Sequence, residues 1–181
     1  MARNSQELYG GHFTVQLIGG SELYVDASTL REVPDNQEVF VGKNDDASII
    51  IDLLEQVHSD DLQEAMTEHL EDLLTDFSKS IIKKGDTVTR KDTIEGEVIF
   101  THITIDKSNC TEHITKQITM FKESEPLQKI DMYVGLIRMK EYETDIIMTY
   151  NPPQRTEIEG TDSKFKEMML SLTLIDASIF G

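Results

Sequence analysis

Apolar and polar residues alternate with period two in several short stretches of this chain and recur at helical spacing in two others. Leu8-Tyr9-Gly10-Gly11 opens the fold, and His12 to Leu17 alternates as a short strand that Gly19-Gly20-Ser21 ends. Tyr24 and Val25 form a further extended piece. Ala27 to Glu32 fits one helical turn, capped by Asp26 or Ser28 and stopped by Pro34, whose ring cannot continue a helix. Pro34-Asp35-Asn36 reads as a turn, since proline fixes φ and the Asp or Asn side chain bonds back to the backbone. Glu38 to Val41 and Ser48 to Val57 are the next strands, joined by the polar stretch Gly42 to Ala47. Periodicity alone leaves the second of these open. Three consecutive isoleucines favour strand, whereas Leu53, Leu54 and Glu55 suit a helix. Strand is the better reading because Ser59, Asp60 and Asp61 supply a helix start just after it. The choice has a geometric consequence: a regular strand points Asp52 and Glu55 to opposite faces, and a helix would put them on one.

The clearest helix runs from Asp60 to about Asp76, where Leu62, Ala65, Met66, Leu70, Leu73, Leu74 and Phe77 recur at spacings of three and four. Asp60 or Asp61 caps it, with Gln63 or Glu64 placed for a capping box. His69 falls on its apolar stripe, where a core or boundary histidine is expected rather than a ligand. Lys79, Lys83 and Lys84 suit the negative C-terminal end, and Lys83 to Thr93 reads as loop. Val98 to Ile105 and Ile114 to Phe121 alternate around Lys107-Ser108-Asn109 as a hairpin. Met132 to Met139 and Asp145 to Tyr150, joined by Lys140 to Thr144, form a second. Both of these strands are apolar on each face, so something must cover each side of the sheet. The covers are the Asp60 helix and a C-terminal helix from Ser163 to about Leu172, capped by Asp162 or Ser163, with Phe165, Met168, Met169 and Leu172 on one face. Thr156 to Thr161 reads as a mobile loop.

Composition adds a charge asymmetry to this α/β pattern. The 181 residues fit one domain, and they carry 34 acidic against 17 basic side chains, a formal charge of -17. Between Asp26 and Asp76 there are 15 acidic residues and only Arg31 and Lys43 as basic ones, so -13 of the -17 lies in that stretch. Phosphate backbones and anionic membranes are disfavoured, and a basic protein is the expected partner, steered at a salt-dependent rate. A solvated face kept charged for solubility is the alternative from charge alone. One cysteine, Cys110, allows no internal disulfide and fits a reducing compartment. The N-terminal residues lack the apolar run of a secretory signal, and no stretch approaches a membrane span.

Several chemistries are not supported. Gly10-Gly11 and Gly19-Gly20 lack the spacing of a phosphate loop and a following Lys-Ser or Lys-Thr. His102, Cys110 and His113 offer three metal ligands at irregular spacing across the first hairpin, a weak pattern. No serine sits in a nucleophile elbow, and carboxylates are too plentiful for any pair to mark acid/base catalysis. No cofactor is expected.

Longer strings are more specific. Leu8-Tyr9-Gly10-Gly11, Asp26-Ala-Ser-Thr-Leu-Arg-Glu-Val-Pro-Asp-Asn-Gln-Glu-Val-Phe-Val41 and Ser48-Ile-Ile-Ile-Asp-Leu-Leu-Glu55 closely resemble the Ran guanine-nucleotide release factor family, the Mog proteins. Glu68-His-Leu-Glu-Asp72, Gly135-Leu-Ile-Arg-Met139, Thr144-Asp-Ile-Ile-Met148, Asn151-Pro-Pro153 and Ser171-Leu-Thr-Leu-Ile-Asp-Ala-Ser-Ile-Phe-Gly181 agree in order. The resemblance covers both ends of the chain and is silent between about Phe77 and Lys129. It implies a mainly antiparallel sheet of about six strands with helices on both faces, akin to the PsbP-type fold. It also implies binding to the small GTPase Ran and promotion of nucleotide release in nuclear transport. With no secretory signal, nucleus and cytoplasm are the expected location, and with no heptad or large apolar surface a monomer is the expected state. In the family the loop matching Asp26 to Glu38 is implicated in release, and acidic positions matching Asp52 and Glu55 in Ran binding. On that basis Asp52 and Glu55 pair with lysines or arginines of Ran, while Asp26, Arg31, Asp35 and Glu38 present the loop to its switch or phosphate region. Structural alternatives stand beside these roles: Asp35 closing the turn after Pro34, Arg31 bracing neighbouring carboxylates, Asp52 capping an edge backbone group. A noncatalytic acidic adaptor that holds Ran or another basic protein, leaving its nucleotide unchanged, is the competing function.

Overall fold

Among the described residues Thr144 to Asn151 is the longest run buried at every position, and this strand, β10 (Thr144–Asn151), lies inside the main sheet between β5 (Ser48–Glu55) and β9 (Lys129–Met139). The computed structural model describes residues 4–73, 81–82, 85–106, 129–153 and 159–181. Among these residues the main sheet has eight strands, all paired antiparallel. Its order is β3 (Tyr24–Asp26), β4 (Gln37–Gly42), β5, β10, β9, β8 (Glu95–Asp106) and β6 (Ile81–Ile82), with β7 (Thr87–Lys91) also paired to β8. A smaller sheet joins β1 (Gln6–Leu8), β2 (Phe13–Val15) and β11 (Thr173–Leu174).

Strand alternation sends two different apolar sets to the two faces of the main sheet. Met132, Val134 and Leu136 of β9 and Ile147 of β10 pack with Leu62, Ala65, Met66 and Leu70 of α1 (Leu62–Leu73). Ile137, Met139, Ile146, Met148 and Tyr150 face the other way and meet Phe165, Met168 and Met169 of α2 (Thr161–Ser171) together with the small sheet. Helices therefore cover both faces, as the apolar character of both strands requires. Gly135 admits α2: a Cβ there would lie 2.2 Å from side-chain atoms of Met169.

α1 begins as its sequence predicts. The backbone N–H of Glu64 donates to Asp61 Oδ1 at 2.9 Å and Ser59 Oγ donates to Glu64 Oε2 at 2.8 Å, so Asp61 rather than Asp60 is the cap. α2 departs from expectation. It starts two residues before Ser163, after Gly160 at φ 73, and no side chain caps it; Asp162 instead lies in the first turn, where its charge favours the positive end of the helix.

Two strand readings also change. Lys83 to Thr93 reads as loop but contains β7, in which Arg90 points inward, is buried, and donates to the carbonyl of Leu172 and the carboxylate of Asp92. An inward arginine breaks the hydrophobic alternation by which a strand is recognised. With β6 and β3 as short edges, the sheet reaches eight described strands rather than about six. The expected partner of β8, Ile114 to Phe121, lies outside the described residues, and β8 itself has β9 on one edge and β6 and β7 on the other. Residues 74–77 of the expected first helix, Lys79, Lys83 and Lys84 after it, and residues 156–158 of the expected mobile loop also lie outside the described set.

Under α1 sits a buried charge cluster. Arg138 and Asp145 are both 0% exposed and paired twice, Nε to Oδ1 at 2.8 Å and Nη2 to Oδ2 at 2.9 Å. His69 Nε2 lies 2.8 Å from Asp145 Oδ2, which makes it the core histidine its position on the stripe suggests. The Val57 N–H donates to the same carboxylate at 3.2 Å, and Arg138 donates to the Ser59 carbonyl. Burial opposes ionisation of Asp145, but the hydrogen bonds from Arg138, His69 and Val57 outweigh it and hold the carboxyl below its ordinary range. The cluster fastens the connection from β5 into α1 to the centre of the sheet.

Candidate functional site

Antiparallel pairing of β4 with β5 sets Gln37 opposite Asp52. The loop that enters β4 and the residues that leave β5 therefore occupy one end of the sheet, and the Asp26 to Glu38 string meets the Asp52 to Glu55 string there. Two hydrogen bonds join them: Leu53 N–H donates to the Asn36 carbonyl at 2.9 Å, and Asn36 Nδ2 donates to the Leu53 carbonyl at 3.3 Å.

The loop has a defined shape. Asp26 Oδ1 accepts the Ser28 N–H at 2.9 Å and the Asp26 carbonyl accepts from Thr29 Oγ1 at 2.7 Å, capping a 3₁₀ turn over Ala27–Thr29 as the sequence predicts. Leu30 and Arg31 N–H groups both donate to the Ala27 carbonyl, and Ala27 is fully buried against Val39, Val41 and Ile50. Gln37 N–H donates to the Pro34 carbonyl at 2.9 Å, closing the expected turn around exposed Asp35. Arg31 is partly buried and donates to the Glu32 carbonyl at 3.1 Å.

Glu38 lies on the β4 face shared with Phe40, next to Asp26, which pairs with Phe40. It accepts the Tyr9 N–H at 2.5 Å. Burial pushes its carboxyl pKa up; the Tyr9 hydrogen bond acts against this, and the charge of Asp26 adds to it. Tyr9 sits at φ 51, a left-handed conformation shared with Gly10 and Gly11, and its hydroxyl donates to the Ile51 carbonyl at 2.7 Å with the Asn36 carbonyl also in reach at 3.2 Å. The string Leu8-Tyr9-Gly10-Gly11 was legible as a fold opening; that it braces the loop was not.

Asp52 is partly buried and accepts from Gln37 Nε2 at 2.7 Å. β5 pairs with β10 without interruption from Ser48 to Glu55, so no bulge reconciles the two acids. Asp52 lies on the α1 side with Ile50 and Leu54, and exposed Glu55 lies on the other side with Ile51 and Leu53. The six predicted residues thus share one end of the sheet but not one face: Asp26, Glu38 and Glu55 on one side, Asp52 on the other, Arg31 and Asp35 on the loop between. Leu30, in that loop, is 59% exposed, among the most exposed large apolar side chains of the described residues. Hydrophobic pattern gave no sign of this.

Among the described residues no three His, Cys, Asp or Glu side chains converge to hold a metal, and no helix is long and apolar enough to cross a membrane. His102, one of three ligands considered, lies 3.1 Å from Asp131 and stacks on Tyr133 at 4.5 Å; Cys110 and His113 lie outside the described residues. The sheet end offers carboxylates, a hydrogen-bonded loop and an exposed leucine, a set suited to holding a cationic surface.

Comparison with known proteins is specific. The family model described as Ran-interacting Mog1 protein matches residues 6–153. The nuclear import protein MOG1 of Saccharomyces cerevisiae is 33% identical over 179 residues, spanning 93% of this chain and 74% of that one. The Ran guanine nucleotide release factor of Bos taurus is 30% identical over 189 residues, spanning 96% of this chain and 95% of that one. The crystal structure of the Saccharomyces cerevisiae Ran-binding protein Mog1p matches with a TM-score of 0.68 at 28% identity, over 99% of this chain and 100% of that chain.

Proposed function

The chain belongs to the Ran-interacting Mog1 protein family, and from that premise we propose that it binds the GTPase Ran through the acidic end of its sheet and promotes release of guanine nucleotide, in nuclear protein import. The observation that carries this reading is the meeting of the Asp26 to Glu38 loop with the end of β5, joined through Asn36 and Leu53. The 181 residues act as one Ran-binding domain in nucleus and cytoplasm.

Release follows from a difference in affinity between the two states of Ran. A protein that holds nucleotide-free Ran more tightly than loaded Ran weakens nucleotide binding by the same factor. No covalent step is involved. A thousandfold faster release corresponds to about 4 kcal/mol of barrier lowering, within reach of a few charge-assisted contacts. In this reading Asp52 and Glu55 pair with basic side chains of Ran from the two sides of the sheet end. Asp26, Arg31, Asp35 and Glu38 hold the loop against the switch or phosphate region, and Leu30 adds an apolar contact at its centre.

Fluorescent nucleotide loaded on Ran tests the reading. Catalytic amounts of the chain should accelerate its loss. Binding without acceleration would leave the adaptor function and sink the release mechanism.

A further inference from the structure

Around the end of β5 lies an open groove of about 910 Å³, bounded by that strand end, the β9–β10 connection and the 3₁₀ turn Ala177–Phe180. Leu53, Val57 and Ile179 contribute apolar surface, Tyr142 and Phe180 an aromatic wall, and Glu55 and Glu143 the carboxylates. The wall is anchored: Tyr142 stacks on Phe180 at 4.3 Å between centroids, and Phe180 meets the fully buried ring of Phe13 edge-on at 6.1 Å. The two acidic positions are brought together by the sheet, since Glu55 pairs with Thr144 and the Gln56 N–H donates to the Glu143 carbonyl at 2.9 Å. Glu143 is exposed and held at φ 49 in the turn.

Charge and shape narrow the occupant. No lysine or arginine lines the groove among the described residues; Lys140 belongs to the same connection but does not line it, and His58 is the sole titratable base that does. An anion is repelled, and a purely apolar group leaves two carboxylates partly desolvated without a partner. A long basic side chain satisfies both parts, with an apolar stem and a cationic head. Aromatic faces add attraction for the same cation.

We propose that this groove takes a lysine or arginine side chain of Ran, its stem on Leu53, Val57 and Ile179 and its head at Glu55 and Glu143. The inference rests on the Ran-binding reading and deepens it, adding Glu143 and the Tyr142–Phe180 wall to the partner surface. It also gives a reason for Glu55 to face away from Asp52: the two acids engage different basic groups of one partner that wraps the sheet end.

The test is Ran affinity of the full chain by titration calorimetry, with Glu143→Lys, Phe180→Ala and, as reference, Asp52→Lys. Glu143→Lys should weaken binding at least tenfold with an unchanged melting temperature, because the residue is exposed. Phe180→Ala should weaken it severalfold. Should Phe180→Ala disturb folding, Glu143→Lys decides alone. If Glu143→Lys binds Ran within twofold of the parent while Asp52→Lys does not, the groove proposal is overturned and the Ran reading stands. If the parent itself does not bind Ran, both fall.

Discussion

Asp145 and Asp52 lie on adjacent strands and on the same face of the sheet, yet they differ in burial. Asp145 pairs across to Leu54, and Asp52 to Ile147, two positions along the same ladder. Asp145 is fully buried and receives Arg138, His69 and the Val57 N–H. Asp52, nearer the loop, is partly exposed and receives the neutral amide of Gln37. A carboxylate inside a low-dielectric core persists as an ion only with full compensation, whereas one at the rim keeps its charge in water and can lend it to a partner. The comparison separates charges that hold the fold from charges offered outward.

Breaking the interior side should have the largest effect. Asp145→Asn leaves Arg138 buried without its counter-ion and should cost about 3–5 kcal/mol, read from the midpoint of urea unfolding. The sign of its pH dependence follows from its lowered carboxyl pKa. The stabilisation is present above the ordinary carboxylate value and is lost as pH falls through the lower folded value, so acid should narrow the gap between parent and variant. Breaking the rim should do the reverse. Asp52→Lys with Glu55→Lys should weaken Ran binding at least a hundredfold, about 2.7 kcal/mol, and leave the circular dichroism spectrum and melting temperature close to the parent's.

Smaller changes sharpen the same contrast within the loop. Asp26→Ala removes the cap of the Ala27–Thr29 turn, with an expected cost of about 1 kcal/mol, and should slow nucleotide release more than it weakens Ran binding. Glu38→Gln retains an acceptor for the Tyr9 N–H and should change stability by only a few tenths of a kcal/mol at neutral pH. Because burial raises the Glu38 carboxyl pKa, its contribution to stability is full below the ordinary glutamate value and lost as pH rises through the folded value. Thermal melts at pH 4 and pH 7 should therefore show the parent losing more than the variant across that interval; equal losses would remove Glu38 from the account.

What was legible in the residues follows from how local each signal is. α1 could be read because its spacing of three and four and its Asp61 cap are both contained in one stretch, and β9 and β10 because both are apolar and follow each other closely. The split of Asp52 from Glu55 was legible as a consequence of strand periodicity alone. β7 was not, since Arg90 faces inward and its partner, the Leu172 carbonyl, is far away in the chain. The cluster of His69, Arg138 and Asp145 was hidden for the same reason: only the position of His69 on an apolar stripe hinted at it. At the candidate site, the strings named the residues that meet at the sheet end, but periodicity could not indicate that Tyr9 braces Glu38, that Leu30 is exposed, or that Glu143 and Glu55 line one groove. These are facts of strand register and tertiary contact.

If the rim charges serve a basic partner, the affinity for Ran depends on ionic strength. Parent affinity should fall steeply as salt rises from about 50 mM to about 500 mM, as screening shortens the reach of the exposed carboxylates, and the Asp52→Lys, Glu55→Lys variant should not recover the parent's low-salt affinity at any salt. An affinity that is flat across that range, or equal in parent and variant, would show that these carboxylates do not face Ran.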